Sequence, residues 1–105
     1  MKTIQVTDSV SQETIAVAEG DQIELRLEET PTTGYRWEIT QINNEQLTIV
    51  DNAYTLYESA GIGGGGIRTV HIHVLRVGTG QLVLENRQSW SNDVYKSFTL
   101  FYQPE

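Results

Sequence analysis

No cysteine occurs anywhere in the chain. That removes disulfide staples, thiol nucleophiles and thiolate metal sites together, and leaves the redox compartment open. Long apolar runs are missing too: no stretch is long enough to span a bilayer, and Met1-Lys2-Thr3-Ile4-Gln5-Val6 alternates like a strand rather than opening a signal peptide. The chain as given therefore reads as soluble and without an address, cytoplasmic or, if a signal has been trimmed, periplasmic or secreted. Positive charge is scarce: 7 basic residues against 14 acidic ones leave a formal net charge of −7. Such a balance repels phosphate backbones and anionic lipid, so neither nucleic acid nor a membrane surface is an expected partner. Helical periodicity is almost absent, with only residues 44–47 offering a plausible helical turn.

What is present is alternation. Ile23, Leu25 and Leu27 face one way while Glu24, Arg26 and Glu28 face the other, as in a strand with one wet side. Shorter runs of the same kind hold Ile4 and Val6, Ile15 to Val17, residues 36–42 with Trp37 and Ile39 on one side, 47–50 and 54–57. Residues 68–77 form a long strand with Val70, Ile72 and Val74 opposite His71, His73 and Leu75, and 81–86 another. The last run, 94–102, puts Phe98, Leu100 and Tyr102 on one side and Tyr95 and Phe101 on the other. About eight short strands at regular spacing predict an all-β, immunoglobulin-like antiparallel β-sandwich of about 7–8 strands. With 105 residues and no break in composition, residues 1–105 make one domain, large enough to hold a core without metal or disulfide.

Three segments interrupt the alternation. Thr30-Pro31-Thr32-Thr33-Gly34-Tyr35-Arg36-Trp37 is a rigid tip: Pro31 fixes its own φ and biases Thr30 toward extended backbone, while Gly34 permits the positive φ that Thr32 and Thr33 would resist. Ser59 to Gly66 holds five glycines in eight residues, too many for a strand interior. Arg87-Gln88-Ser89-Trp90-Ser91-Asn92-Asp93 is polar except for its tryptophan. Chemistry is hard to place on any of them. The glycine segment lacks the Gly-Lys-Ser/Thr ending and helix of a phosphate loop. His71 and His73 lie two apart on a strand with no third ligand in view, and read as surface histidines rather than a zinc site. The carboxylates alternate along strands or sit in turns, with no positioned nucleophile or base. An enzyme is not expected, nor a cofactor or a metal.

The three segments together resemble the binding loops of the chagasin-like inhibitors of papain-family cysteine proteases. Those proteins carry an Asn-Pro-Thr-Thr-Gly-aromatic loop, a Gly-x-Gly-Gly loop and an Arg-Pro-aromatic loop, in that order, on an immunoglobulin-like sandwich. Here Thr30 stands in place of the asparagine, and Gln88-Ser89-Trp90 in place of Arg-Pro-Trp. The resemblance implies a reversible, non-covalent inhibitor that occludes a papain-family protease cleft with residues 30–35, 61–66 and 87–90. The protease-binding residues it implies are Thr30, Pro31, Thr32, Thr33, Gly34, Tyr35, Gly63, Gly64, Gly65, Gly66, Gln88, Ser89 and Trp90. It also implies a monomer. The rival expectation is a carbohydrate-binding sandwich that stacks sugars on Trp90, Tyr35, Tyr54 and Tyr57. A second is an immunoglobulin-like interaction module whose loops are merely rigid. Alternation separates the two tryptophans, placing Trp37 in the core and Trp90 in a loop.

Overall fold

The structure, a computed structural model, describes residues 1–8, 11–29, 34–56, 65–88, 90 and 94–105. Its strands are β1 (Thr3–Thr7), β2 (Thr14–Val17), β3 (Gln22–Glu29), β4 (Tyr35–Gln41), β5 (Leu47–Leu56), β6 (Gly66–Val74), β7 (Gly80–Gln88) and β8 (Val94–Pro104). They form two four-stranded sheets, ordered β1-β3-β6-β5 and β2-β8-β7-β4. The expected sandwich is present, with one refinement. β1 runs parallel to β3 and β2 parallel to β8, while the inner pairings are antiparallel.

The core lies between the sheets. Every second residue of β3 is buried, from Ile23 through Leu25 and Leu27, as are Val70, Ile72 and Val74 of β6; Leu82, Leu84, Phe98, Leu100 and Tyr102 face them from β7 and β8. Period-two alternation is thus the force that folds this chain, because each strand can bury one face only if its apolar residues share a parity. Trp37 belongs to that core, 6% exposed, and its indole Nε1 donates to the Glu28 carbonyl at 2.7 Å.

Three expected elements differ. The run 47–50 and the described part of the run 54–57, up to Leu56, are one strand, β5, with a bulge where its register against β6 shifts between Ile49 and Asp51. Before the bulge Leu47 and Ile49 sit opposite Val74 and Ile72; after it Asn52 and Tyr54 sit opposite Val70 and Arg68. The extra residue changes the inward parity from odd to even, which makes one strand look like two in the sequence. β6 begins earlier than expected, at Gly66, and ends at Val74 instead of 77. Val74 N donates to the Asp21 carbonyl and Leu75 N to the Gln46 carbonyl, and Leu75 and Val77 are exposed beyond the ladder. β7 runs on to Gln88, so Arg87 and Gln88, expected in the third loop, end a strand instead. The helical turn expected at 44–47 is present as a single turn, with Leu47 N bonded to the Asn43 carbonyl at 2.9 Å.

The pole formed by this turn is tied by polar contacts. Asp21, buried, accepts from Ala18 N at 2.9 Å and from Lys2 N at 3.1 Å, and pairs with the Lys2 ammonium at 3.2 Å. The Ala18 N–H above all, followed by the Lys2 groups, holds the Asp21 carboxyl below the usual carboxylate range. The same ammonium meets Glu105 Oε1 at 2.5 Å, and the two carboxylates raise its pKa, Glu105 contributing most. The Tyr102 hydroxyl donates to Gln46 Oε1 at 2.6 Å, and burial pushes its pKa up.

Candidate functional site

Strand register gathers the three irregular segments. Glu29, the last residue of β3, is the Cα partner of Gly66, the first of β6, which also faces Leu56, the last of β5. In the other sheet Tyr35, the first residue of β4, faces Gln88, the last of β7, and Arg87 faces Val94, the first of β8. Six strand ends therefore meet at one pole, opposite the Asp21 pole. Of the candidate residues, Gly34, Tyr35, Gly65, Gly66, Gln88 and Trp90 are described; Thr30, Pro31, Thr32, Thr33, Gly63, Gly64 and Ser89 lie outside the described residues, as does Tyr57.

Gly34 has φ +84°, the left-handed backbone expected of it. Its missing side chain has a second use. A Cβ at Gly34 would press on the Trp90 indole, coming within 3.0 Å of Cζ2 and 3.1 Å of Cζ3. The tip segment and the tryptophan segment thus touch through the bare backbone of one glycine. Trp90 is nevertheless 70% exposed, so it rests on Gly34 and still presents most of its surface. Next to it, the Tyr35 ring meets Tyr95 with centroids 5.4 Å apart and planes tilted by 48°, an ordinary favourable geometry for an aromatic pair. Tyr95 and Val94 are exposed, extending the apolar surface beyond Trp90 along β8. Sequence reasoning placed Tyr95 only on the outer face of the last strand, because its pairing with Tyr35 spans 60 positions that no local pattern connects.

The glycine segment reaches the sheet at Gly65, half-buried, and Gly66, buried between β3 and β5. Gly66 therefore begins the strand and belongs to the base of that loop. Gln88, half-buried, ends β7 opposite Tyr35. The rival sugar platform loses a member: Tyr54 is half-buried, stacks under the Arg68 guanidinium at 5.6 Å and directs its hydroxyl to the Glu29 carbonyl at 3.4 Å. His71 lies on the outer face of its sheet between Glu24 at 3.8 Å and Asp51 at 3.7 Å, and His73 Nδ1 lies 2.6 Å from Gln22 Nε2.

Sequence reasoning missed a charged pair beneath the loops. The Glu29 side chain is 0% exposed and that of Arg68 17%, with Nη2 to Oε2 at 2.7 Å and Nε to the carboxylate at 3.2 and 3.3 Å. Oε1 of the same carboxylate accepts from Trp37 N at 2.7 Å. The signal was available, since Glu29 continues the inward parity of Ile23, Leu25 and Leu27, and Arg68 that of Val70, Ile72 and Val74.

The family model described as "Chagasin family peptidase inhibitor I42" matches residues 16–102. The chain is 30% identical over 103 residues to chagasin of Trypanosoma cruzi, covering 92% of this chain and 94% of that protein. It is 32% identical over 100 residues to amoebiasin-1 of Entamoeba histolytica, covering 92% and 95%. The crystal structure of a cysteine protease inhibitor from Entamoeba histolytica superposes with a TM-score of 0.89 at 21% identity, over 99% of this chain and 96% of that one. Sandwich, loop pole and matched sequence agree: the chain belongs to the chagasin family of peptidase inhibitors.

Proposed function

We propose that the chain is a reversible, non-covalent inhibitor of papain-family cysteine proteases that fills the active-site cleft with the segments at its loop pole. The observation that carries this is the convergence of three strand connections at one pole, with Trp90 seated on Gly34 and exposed over most of its surface. Family membership supplies the kind of target. The parts suit occlusion. A prolyl tip with a left-handed glycine loses little freedom on docking, glycines allow a close backbone approach to an extended groove, and an exposed tryptophan is a large anchor. Inhibition by occlusion needs no nucleophile, metal or cofactor from this chain.

The test is titration into papain or a cathepsin-type enzyme while peptide-substrate turnover is followed. Turnover should fall to zero at stoichiometric inhibitor, recover on dilution, and leave the chain uncleaved. No inhibition at micromolar concentration across several such enzymes overturns the reading.

A further inference from the structure

We infer that Glu29 and Arg68 are positioning residues, which set the spacing between the tip segment and the glycine segment and so hold the inhibitory surface in its binding geometry. The inference rests on the inhibitory reading above. Stability alone is a poor explanation for the pair. Taking a carboxylate and most of a guanidinium out of water carries a penalty, and well-packed apolar residues in place of buried ion pairs are often neutral or stabilising. What such a pair supplies is orientation, because a guanidinium fork meets a carboxylate in few relative poses.

The contacts show what is being oriented. Glu29 ends β3, where the chain departs into 30–33, and its Oε1 accepts from the backbone of Trp37, in the strand by which the chain returns. One carboxylate therefore grips both limbs of the tip. Arg68 lies two residues into β6, on the returning limb of the glycine segment, and its Nη1 donates to Asn52 Oδ1 on β5, the departing limb, at 3.1 Å. One guanidinium grips both limbs of the second loop. The Glu29–Arg68 bond joins these two grips, and Tyr54 closes the circuit by lying under Arg68 while bonding to the Glu29 carbonyl. The opposite flank of the tip is held by the Trp90–Gly34 and Tyr35–Tyr95 contacts. Without the ion pair the tip keeps its links to the tryptophan side, while its link to the glycine side is reduced to the end of the β3–β6 ladder and the Tyr54 hydroxyl, neither of which fixes the Glu29 carboxylate that holds Trp37 N.

A loss of positioning has a kinetic signature distinct from a lost contact. If only about a tenth of the molecules hold the competent spacing, apparent affinity falls about tenfold through that fraction. The fall then appears in the association rate, whereas loss of a direct contact accelerates dissociation. The experiment measures association and dissociation rates with papain for the wild type, Arg68→Lys, Arg68→Met and Glu29→Gln. Val74→Ala, a core change at the opposite pole, serves as a control for lost stability. Arg68→Met and Glu29→Gln should associate about tenfold more slowly with dissociation unchanged, and Val74→Ala should inhibit like the wild type despite a lower melting temperature. Arg68→Lys, which keeps the charge and loses the fork, should slow association by an intermediate factor, and it carries the test if Arg68→Met fails to fold. Wild-type association rates in the Arg68 and Glu29 variants, a Val74→Ala loss as large as theirs, or faster dissociation in place of slower association would each overturn the positioning role. A wild-type chain that does not inhibit at all overturns instead the functional reading beneath it.

Discussion

The two poles of the sandwich spend their side chains differently. At the Asp21 pole, the Lys2 ammonium joins two carboxylates and Tyr102 is bonded to Gln46, so polar groups there close on one another. At the loop pole the polar groups also close on one another, but one layer down, at Glu29, Arg68, Tyr54 and Asn52. Above them Trp90 and Tyr95 are 70% and 64% exposed, beside Val94, whereas toward the Asp21 pole, the terminal Met1 apart, the exposed Leu75, Val77 and Phe101 reach 39%, 46% and 37%. Exposed apolar surface is costly to a monomer and gains its value only when a partner covers it. The difference separates groups that hold the fold from groups that meet a partner, and the two tryptophans fall on either side of that line.

The largest expected effect is on Trp37. Trp37→Ala removes a core indole and its bond to Glu28 and should cost ~3–5 kcal/mol of stability, a large part of the total for a domain of this size. Chemical denaturation of the variant measures it. Trp90→Ala should leave the melting temperature nearly unchanged and cost ~2 kcal/mol or more of protease affinity, expressed as faster dissociation. The contrast breaks if Trp90→Ala unfolds the domain while Trp37→Ala melts normally and loses only inhibition.

A smaller effect sharpens the contrast through pH. The folded pKa of Asp21 is lowered, so its contribution is present above the usual carboxylate value of about 3.9 and is lost as pH falls through the lower folded value. Those of Lys2 and Tyr102 are raised, so their contributions are present below about pH 10 and are lost as pH rises through the higher folded values. Melting temperature should therefore be nearly flat between about pH 5 and 9 and fall on both sides. Asp21→Asn should shrink the acid limb and Lys2→Met the alkaline limb. Neither should change inhibition near neutrality, since both residues sit at the pole away from the loops. A weakened inhibition constant in Lys2→Met would show that the poles are coupled.

Much of this was legible in the residues, and the limits are physical. Alternation located β3, β6, β7 and β8 and placed Trp37 inside and Trp90 outside, because burial of one sheet face imposes a period that a single strand displays alone. Gly34 was legible because few other residues tolerate its backbone. The parallel pairing of β1 and β2 was not, since a strand's neighbour is chosen by the whole sheet and leaves no periodic trace. Nor was the joining of 47–50 to 54–56, because a bulge erases the parity that would have connected them. Glu29 and Arg68 stood at inward positions in plain view, but an inward charge announces itself only once its partner, 39 positions away, is known to face it.

The bulge in β5 has a further consequence for the protein in a crowded solution. β5 is an outer strand of its sheet and ten residues long, and an uninterrupted edge of that length offers a template on which another chain can add a strand. The register shift beside Val50 breaks the regular spacing of donors and acceptors along that edge, so an approaching strand meets two short ladders out of step with each other. The residue that disguised β5 in the sequence thus also guards it against self-association and fibre growth.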